Sequence, residues 1–182
     1  MKKPRPILVA GIGNIFCGDD AFGCEVIREL QRERHPWPSR VRLEDFGIRG
    51  YDLAYAIMDG ADTILIDAVP RGHAPGTLYL IEPNLAHLGP GVPDGHSMSV
   101  VNVLNTIESL GGQTGRLYLV GCEPLELEPP GGEFALSAPV RAAVPQAAAL
   151  VERIVADLLY HLDPLSSAPR VPSSHAALKE VS

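Results

Sequence analysis

The chain has 182 residues, of which 46% are hydrophobic, with 15 Lys and Arg against 22 Asp and Glu, for a formal net charge of -7. That length and apolar content fit one globular domain with a full core, and the acidic balance argues against a nucleic-acid or anionic-membrane partner. No apolar run is long enough to span a bilayer, the N-terminus lacks a signal-peptide core, and Cys17, Cys24 and Cys122 are too few and too irregularly spaced for a disulfide framework, so a cytoplasmic protein with reduced thiols is expected.

In chain order, Ile7 to Ala10 is an apolar run suited to a strand buried on both faces. Gly11 and Gly13 follow, where the backbone can turn sharply and admit a close neighbour. Asp19 or Asp20 then occupies a helix N-cap position ahead of Phe22, Val26, Ile27 and Leu30, which recur at helical spacing. Strand, glycine turn and helix start together mark the place where open α/β proteins bind ligands. The dinucleotide fingerprint fails here, because Phe16 stands where its third glycine belongs and two carboxylates would repel a pyrophosphate. A Rossmann-like nucleotide module is therefore disfavoured. The carboxylates could serve a cation or simply cap the helix.

The first helix is expected over about 20–34, ended by Pro36 and Pro38. Val41 to Asp45 reads as a second strand with alternating faces, Gly47 and Gly50 as a turn, and Tyr51 to Met58 as a short helix with Leu53, Ile57 and Met58 inward. Thr63 to Asp67 is a third apolar strand closed by a carboxylate. A loop over 70–76 precedes an edge strand over 77–81. The stretch 82–95 reads as a loop ending at His96, after which Ser97 or Ser99 should cap a helix with the stripe Val100, Val103, Leu104, Ile107 and Leu110, stopped by Gly111 and Gly112. Arg116 to Gly121 is a further buried strand, 123–133 an acidic proline- and glycine-rich loop, and Ser137 the cap of a last helix running to about Tyr160, with Pro145 a kink near its start. The expected organisation is one domain over 1–162 and a disordered tail over 163–182. Alternating strands and helices imply an α/β fold, a three-layer α/β/α sandwich on a twisted, mainly parallel sheet of about five strands.

On that scaffold Asp20 follows the first strand and Asp67 ends the third, so both can converge on the carboxyl edge of the sheet, and His96 reaches it if its loop folds over. Two carboxylates and an imidazole suit a borderline divalent ion such as nickel, zinc or manganese. Capping and surface roles for the same residues fit the spacing as well.

The segment Gly11 to Gly23, with Gly11, Gly13, Asn14 and the paired Asp19 and Asp20, resembles the glycine turn of the hydrogenase maturation endopeptidases, which trim the C-terminal extension from nickel-iron hydrogenase large subunits. Ile64 to Ala68, Ala74 to Thr77, and Gly95 with His96 resemble further motifs of that family, and the match runs from about Ile7 to Leu159. The resemblance implies a peptidase of aspartyl type whose metal trio is Asp20, Asp67 and His96. The two aspartates would be catalytic, and Gly13, Asn14, Gly47, Arg49 and Gly50 would bind substrate. It implies nickel carried by the precursor and held weakly or not at all by the free protease, which would be a monomer. The family often has Asp-Gly-Gly-Thr-x-Gly after the second strand; here Asp45, Phe46, Gly47, Ile48, Arg49 and Gly50 stand there, so Phe46 and Ile48 are expected to alter the cleft wall, and Arg49 to pair with Asp45, touch substrate or stay solvated. A non-catalytic nickel-binding chaperone with the same ligands is the alternative. No Gly-x-Ser-x-Gly elbow or His-Glu-x-x-His helix supports a serine or zincin-type mechanism.

Overall fold

Three segments buried at every position form the middle of the molecule: β1 (Ile7–Ile12), β3 (Asp62–Ala68) and β5 (Leu117–Cys122). Such apolar, β-branched runs suit a parallel sheet covered on both faces. The computed structural model describes residues 5–32, 36–83, 100–127 and 134–160. Within them, β2 (Val41–Gly47) and β4 (Leu78–Ile81) flank the central strands in the order β2-β1-β3-β5-β4. All pairings are parallel except β4 with β5, which is antiparallel. The two edge strands are the less buried ones, as expected of strands with one unpaired side.

Alternation along the strands divides the core in two. Ile7, Val9, Ile64, Ile66 and Val120 face α1 (Phe22–Arg32) and α4 (Ala138–Leu159). Leu8, Ala10, Ile12, Leu65 and Leu119 face α2 (Gly50–Met58) and α3 (Val100–Ser109). This is the expected α/β/α sandwich. Each fully buried Ile, Leu, Val or Phe contributes about 1.5–3 kcal/mol of hydrophobic stabilisation, so the two layers of helix are held by their inward stripes: Phe22, Val26, Ile27 and Leu30 on α1, and Leu53 and Ile57 on α2.

Several local expectations need correction. The chain after β1 does not enter α1 at Asp20; Gly18–Ala21 form a 3-10 turn and α1 starts at Phe22. Leu110 is 49% exposed and lies beyond α3, because the helix closes with Gly111 at φ +67°, the Gly112 N–H donating to Ile107 O and the Gly111 N–H to Glu108 O. Ser137 sits at the N-cap of α4 without a side-chain capping bond; its hydroxyl is engaged elsewhere. Pro139 lies in the first turn of α4 and Pro145 inside the helix, as read. The caps Ser97 and Ser99, the helix end at 33–35, most of the 82–95 loop and the tail over 163–182 lie outside the described residues.

Candidate active site

The site is built on the carboxyl edge of β1, β2 and β3. The turn after β1 requires glycine at position 13: φ is +129°, and a Cβ there would lie 1.7 Å from the carbonyl oxygen of Asp20. Gly11 is equally crowded, by Gly23 O at 2.5 Å and Ile27 Cγ1 at 2.6 Å. The space these glycines leave is thus filled by the protein's own 3-10 turn and by α1, rather than left open for a ligand. Gly23 completes the contact, since a Cβ there would meet Ile66 O at 2.2 Å and Ile12 O at 2.4 Å. It lets α1 sit directly on β1 and β3, the close helix-to-strand approach for which the dinucleotide fold uses its third glycine.

The turn aims Asp20. Its Oδ2 accepts the Asn14 N–H at 2.7 Å, while Asn14 Oδ1 accepts the Phe16 N–H at 3.0 Å. Asn14 therefore orients the Asp20 carboxylate from the backbone and braces the turn with its side chain. Asp67 stands one residue from the end of β3 and is 7% exposed. Burial, and then the neighbouring Asp20 carboxylate, push the Asp67 carboxyl well above the usual carboxylate range, with a hydrogen bond from the Ala68 N–H drawing it part-way back. Asp20 lies in the turn after β1 and Asp67 near the end of the neighbouring parallel strand β3, close enough for the charge of Asp20 to raise Asp67.

Asp45 is a third carboxylate at this edge. It pairs in register with Gly11, and the register slips immediately afterwards, where Ile12 pairs with Gly47. The slip leaves Phe46 as an extra residue and turns the strand end, as a bulge does. Gly47, at φ +53°, donates to Asp45 Oδ1 at 2.9 Å and accepts the Gly13 N–H at 3.1 Å, tying the two turns together. Between them lies Cys24, whose Sγ is 3.5 Å from Gly13 O; burial first, and then a hydrogen bond to Asp45, raise its thiol. A thiol so held is protonated and inert. All three cysteines are free; Cys122 is pushed up to about 12 by burial and by the charges of Asp19 and Glu123.

Phe46 does not line a cleft. It is 1% exposed and packs in the α2 and α3 layer, whereas Ile48 is 63% exposed. Arg49 bonds the carbonyls of Asp45 and Phe46 and pairs with Asp52 at 3.5 Å, rather than with the Asp45 carboxylate. Gly50 begins α2. His96 lies outside the described residues, and among those described no group of three or more His, Cys, Asp or Glu side chains is arranged to hold a metal.

Two buried carboxylates support this edge: Asp19, read from the sequence only as a possible helix cap or motif partner of Asp20, and Glu123, read only as the start of a loop. Asp19, 1% exposed, accepts the N–H groups of Leu125 at 2.8 Å, Glu126 at 3.2 Å and Ser137 at 2.7 Å, and the Ser137 hydroxyl at 2.9 Å. Adjacent aspartates thus differ: Asp19 is a fastener between the turn and the start of α4, whereas half-buried Asp20 accepts the Asn14 N–H within its own turn. Glu123, 4% exposed, accepts the N–H groups of Arg71 and Gly72 and the hydroxyl of Tyr79. Burial alone would raise it, but these bonds hold its carboxyl below the usual range. It fixes the loop that follows Asp67. The only sequence signal for either is an acidic residue beside a strand end or turn, which is common.

The family described as hydrogenase maturation protease, HycI, matches residues 24–154, well over half of the chain. The chain is 35% identical over 134 residues to the hydrogenase expression/formation protein HupD of Rhodobacter capsulatus, covering 72% of this chain and 63% of that protein. It is 35% identical over 153 residues to HupM of Azotobacter chroococcum, covering 83% and 72% respectively. The chain belongs to the hydrogenase maturation protease family. The expected peptidase class is therefore that of its family, while the chain spans just under two thirds of the length of HupD. A solved structure, the hydrogenase maturating endopeptidase HybD from E. coli, superposes with a TM-score of 0.69 at 28% identity, covering 86% of this chain and 93% of that one. Hydrogenase maturation proteases thus share the sheet and helices described above. No described helix of this family member is long and apolar enough to cross a membrane.

Proposed function

We propose that this protein is an endopeptidase that removes the C-terminal extension of a nickel-iron hydrogenase large-subunit precursor after nickel insertion, reading the bound nickel through Asp20, Asp67 and His96. The observation that carries the reading is that Asp20 and Asp67 stand at the carboxyl ends of adjacent parallel strands, where burial and then the charge of Asp20 raise Asp67, in a member of this family. His96 enters this reading from the family resemblance and lies outside the described residues. It lies just before α3, which packs on the sheet face opposite α1 and α4, the face to which strand alternation assigns Asp67. The chain passes from the end of α3 into the start of β5, so the first turn of α3 points to the carboxyl edge.

Nickel here is cargo of the substrate. Three oxygen and nitrogen ligands without a thiolate make an incomplete site, so the free protease holds the ion weakly and the precursor supplies the remaining ligands. Joined in this way, the metal positions the scissile peptide, and a carboxylate of the pair can take the proton of the attacking water. In this reading the protease is a monomer of the cytoplasm, a compartment in which its three free thiols stay reduced. Mass spectrometry of the nickel-loaded precursor after incubation with the purified protein tests the reading. Loss of the C-terminal extension is expected; a bound but full-length precursor would make the protein a chaperone instead.

A further inference from the structure

Around the candidate site the surface carries large apolar side chains that the fold does not use. Phe16 is 64% exposed, Phe134 65% and Leu125 61%. Phe16 and Phe134 stand edge to face with ring centroids 6.0 Å apart, although 118 positions separate them in the chain. The segments that carry them meet at one buried carboxylate: Asp19, three residues after Phe16, binds the backbone of Leu125, of Glu126 and of Ser137, three residues after Phe134. The turn that carries Phe16 is braced again by the Asn14 side chain on the Phe16 N–H. These bonds tie down the backbone on which the rings stand, the preorganised kind of surface that binds without a large ordering cost.

Beside the rings is a shallow pocket between Ala21, Glu25, Phe134, Leu136 and Arg141. Glu25 is paired with Arg28, and the Arg141 guanidinium is oriented by the Leu136 carbonyl at 2.6 Å while keeping its positive charge. The pocket therefore offers apolar surface from Ala21, Phe134 and Leu136 with the Arg141 charge at its side, a lining that takes an apolar side chain and does not attract a cationic one.

We propose that Phe16, Phe134 and Leu125, with this pocket, form a docking platform for an apolar segment of the precursor polypeptide, anchored by a large aliphatic or aromatic side chain. The proposal rests on the endopeptidase reading above. Phe16 and Asp20 belong to one turn, and Ala21, next to Asp20, lines the pocket, so the platform is continuous with the turn that carries Asp20. The exposed apolar area of the platform is roughly 400 Å², from about 150–250 Å² for a whole aromatic side chain. A stable dimer needs about 800 Å² on each partner, so a second copy of this chain does not suit the platform, whereas an anchor within a larger substrate contact does.

The test compares wild type with Phe16→Ser/Phe134→Ser on nickel-loaded large-subunit precursor, with circular dichroism confirming the fold. The double variant should raise KM about tenfold and leave kcat within about twofold, and Phe16→Leu/Phe134→Leu should restore most of the loss. Unchanged KM, or a fall in kcat alone, would overturn the proposal. So would a wild-type dimer in sedimentation that the serine variant dissociates, which would assign the platform to a second copy. If wild type leaves the precursor uncut, the endopeptidase reading fails by itself, and calorimetry with the same precursor decides the platform: binding lost in the serine variant upholds it, and equal or absent binding removes it.

Discussion

The pair Asp19 and Asp20 offers the sharpest separation of structure from function in this chain. Asp19→Ala deletes the acceptor of three backbone N–H groups and one hydroxyl, all at a site that is 1% exposed. Each orphaned buried donor costs about 1–3 kcal/mol; taking the low end, because water can enter the vacated space, the loss is about 3–4 kcal/mol. At about 2–4 °C per kcal/mol for a protein of this size, the melting temperature should fall by about 10 °C. Asp19→Asn recovers only part of this, since its NH2 group must face at least one N–H donor. Ser137→Ala should cost about 1 kcal/mol alone and almost nothing in the Asp19→Ala background, because the same bond is already gone. Asp20→Asn should stay within about 1 kcal/mol of wild type, as a half-buried side chain whose amide oxygen still accepts from Asn14. Urea denaturation followed by circular dichroism measures all four. A loss below about 1 kcal/mol for Asp19→Ala, or an equal loss for Asp20→Asn, would refute the assignment of the fastener role to Asp19.

Gly13→Ala forces a Cβ against the Asp20 carbonyl at φ +129°, so precursor processing should fall at least about tenfold and stability by about 1–3 kcal/mol; normal processing would detach this turn from the site. In the metal-free protein, Asp67 is an acid raised by burial, so its contribution to stability is complete below the unfolded carboxylate range and is lost as pH rises through its higher native value. Asp67→Asn should therefore be more stable than wild type at neutral pH while processing nothing, and a variant less stable at pH 8 than wild type would contradict this. Glu123 has the opposite sign: held low in the fold, it stabilises above the unfolded glutamate range and loses that contribution as pH falls through its native value, so Glu123→Gln should flatten the acid limb of the pH–stability curve. Asp62, which binds Arg116 at 2.9 Å at the opposite edge of the sheet, is a control: Asp62→Ala should destabilise by about 3 kcal/mol and leave the processing rate of the folded fraction unchanged.

What the sequence discloses follows the range of the interactions. The strands β1, β3 and β5 are legible because burial on both faces makes them near-continuous apolar runs, with the polar Asp62, Thr63 and Asp67 of β3 kept to its ends, and the inward stripes of α1 and α2 because 3.6-residue periodicity is local. Asp20 and Asp67 could be brought to one edge by topology alone, since parallel strands end together. Asp19 could not be told from Asp20, because its partners Leu125 and Ser137 lie more than a hundred positions away. Ser137 looks like a cap from its neighbours, yet its hydroxyl is recruited by that distant carboxylate. Phe46 looks like a cleft residue because it replaces a glycine of the family motif, but the register slip between β1 and β2 turns it into the core. Leu110 continues the helical stripe in sequence, while the helix ends one residue earlier at a glycine-stopped turn.

The central claim is that the precursor's nickel completes a site with Asp20, Asp67 and His96 and licenses cleavage. The most direct measurement is the cleavage rate of nickel-loaded and nickel-free precursor, without added free nickel, by wild type and by Asp20→Asn, Asp67→Asn and His96→Ala. The expected result is rapid removal of the extension from the loaded precursor by wild type only, and no cleavage of the empty precursor by any protein. Equal cleavage of loaded and empty precursor by wild type, or full activity of any of the three variants on the loaded form, would contradict the account.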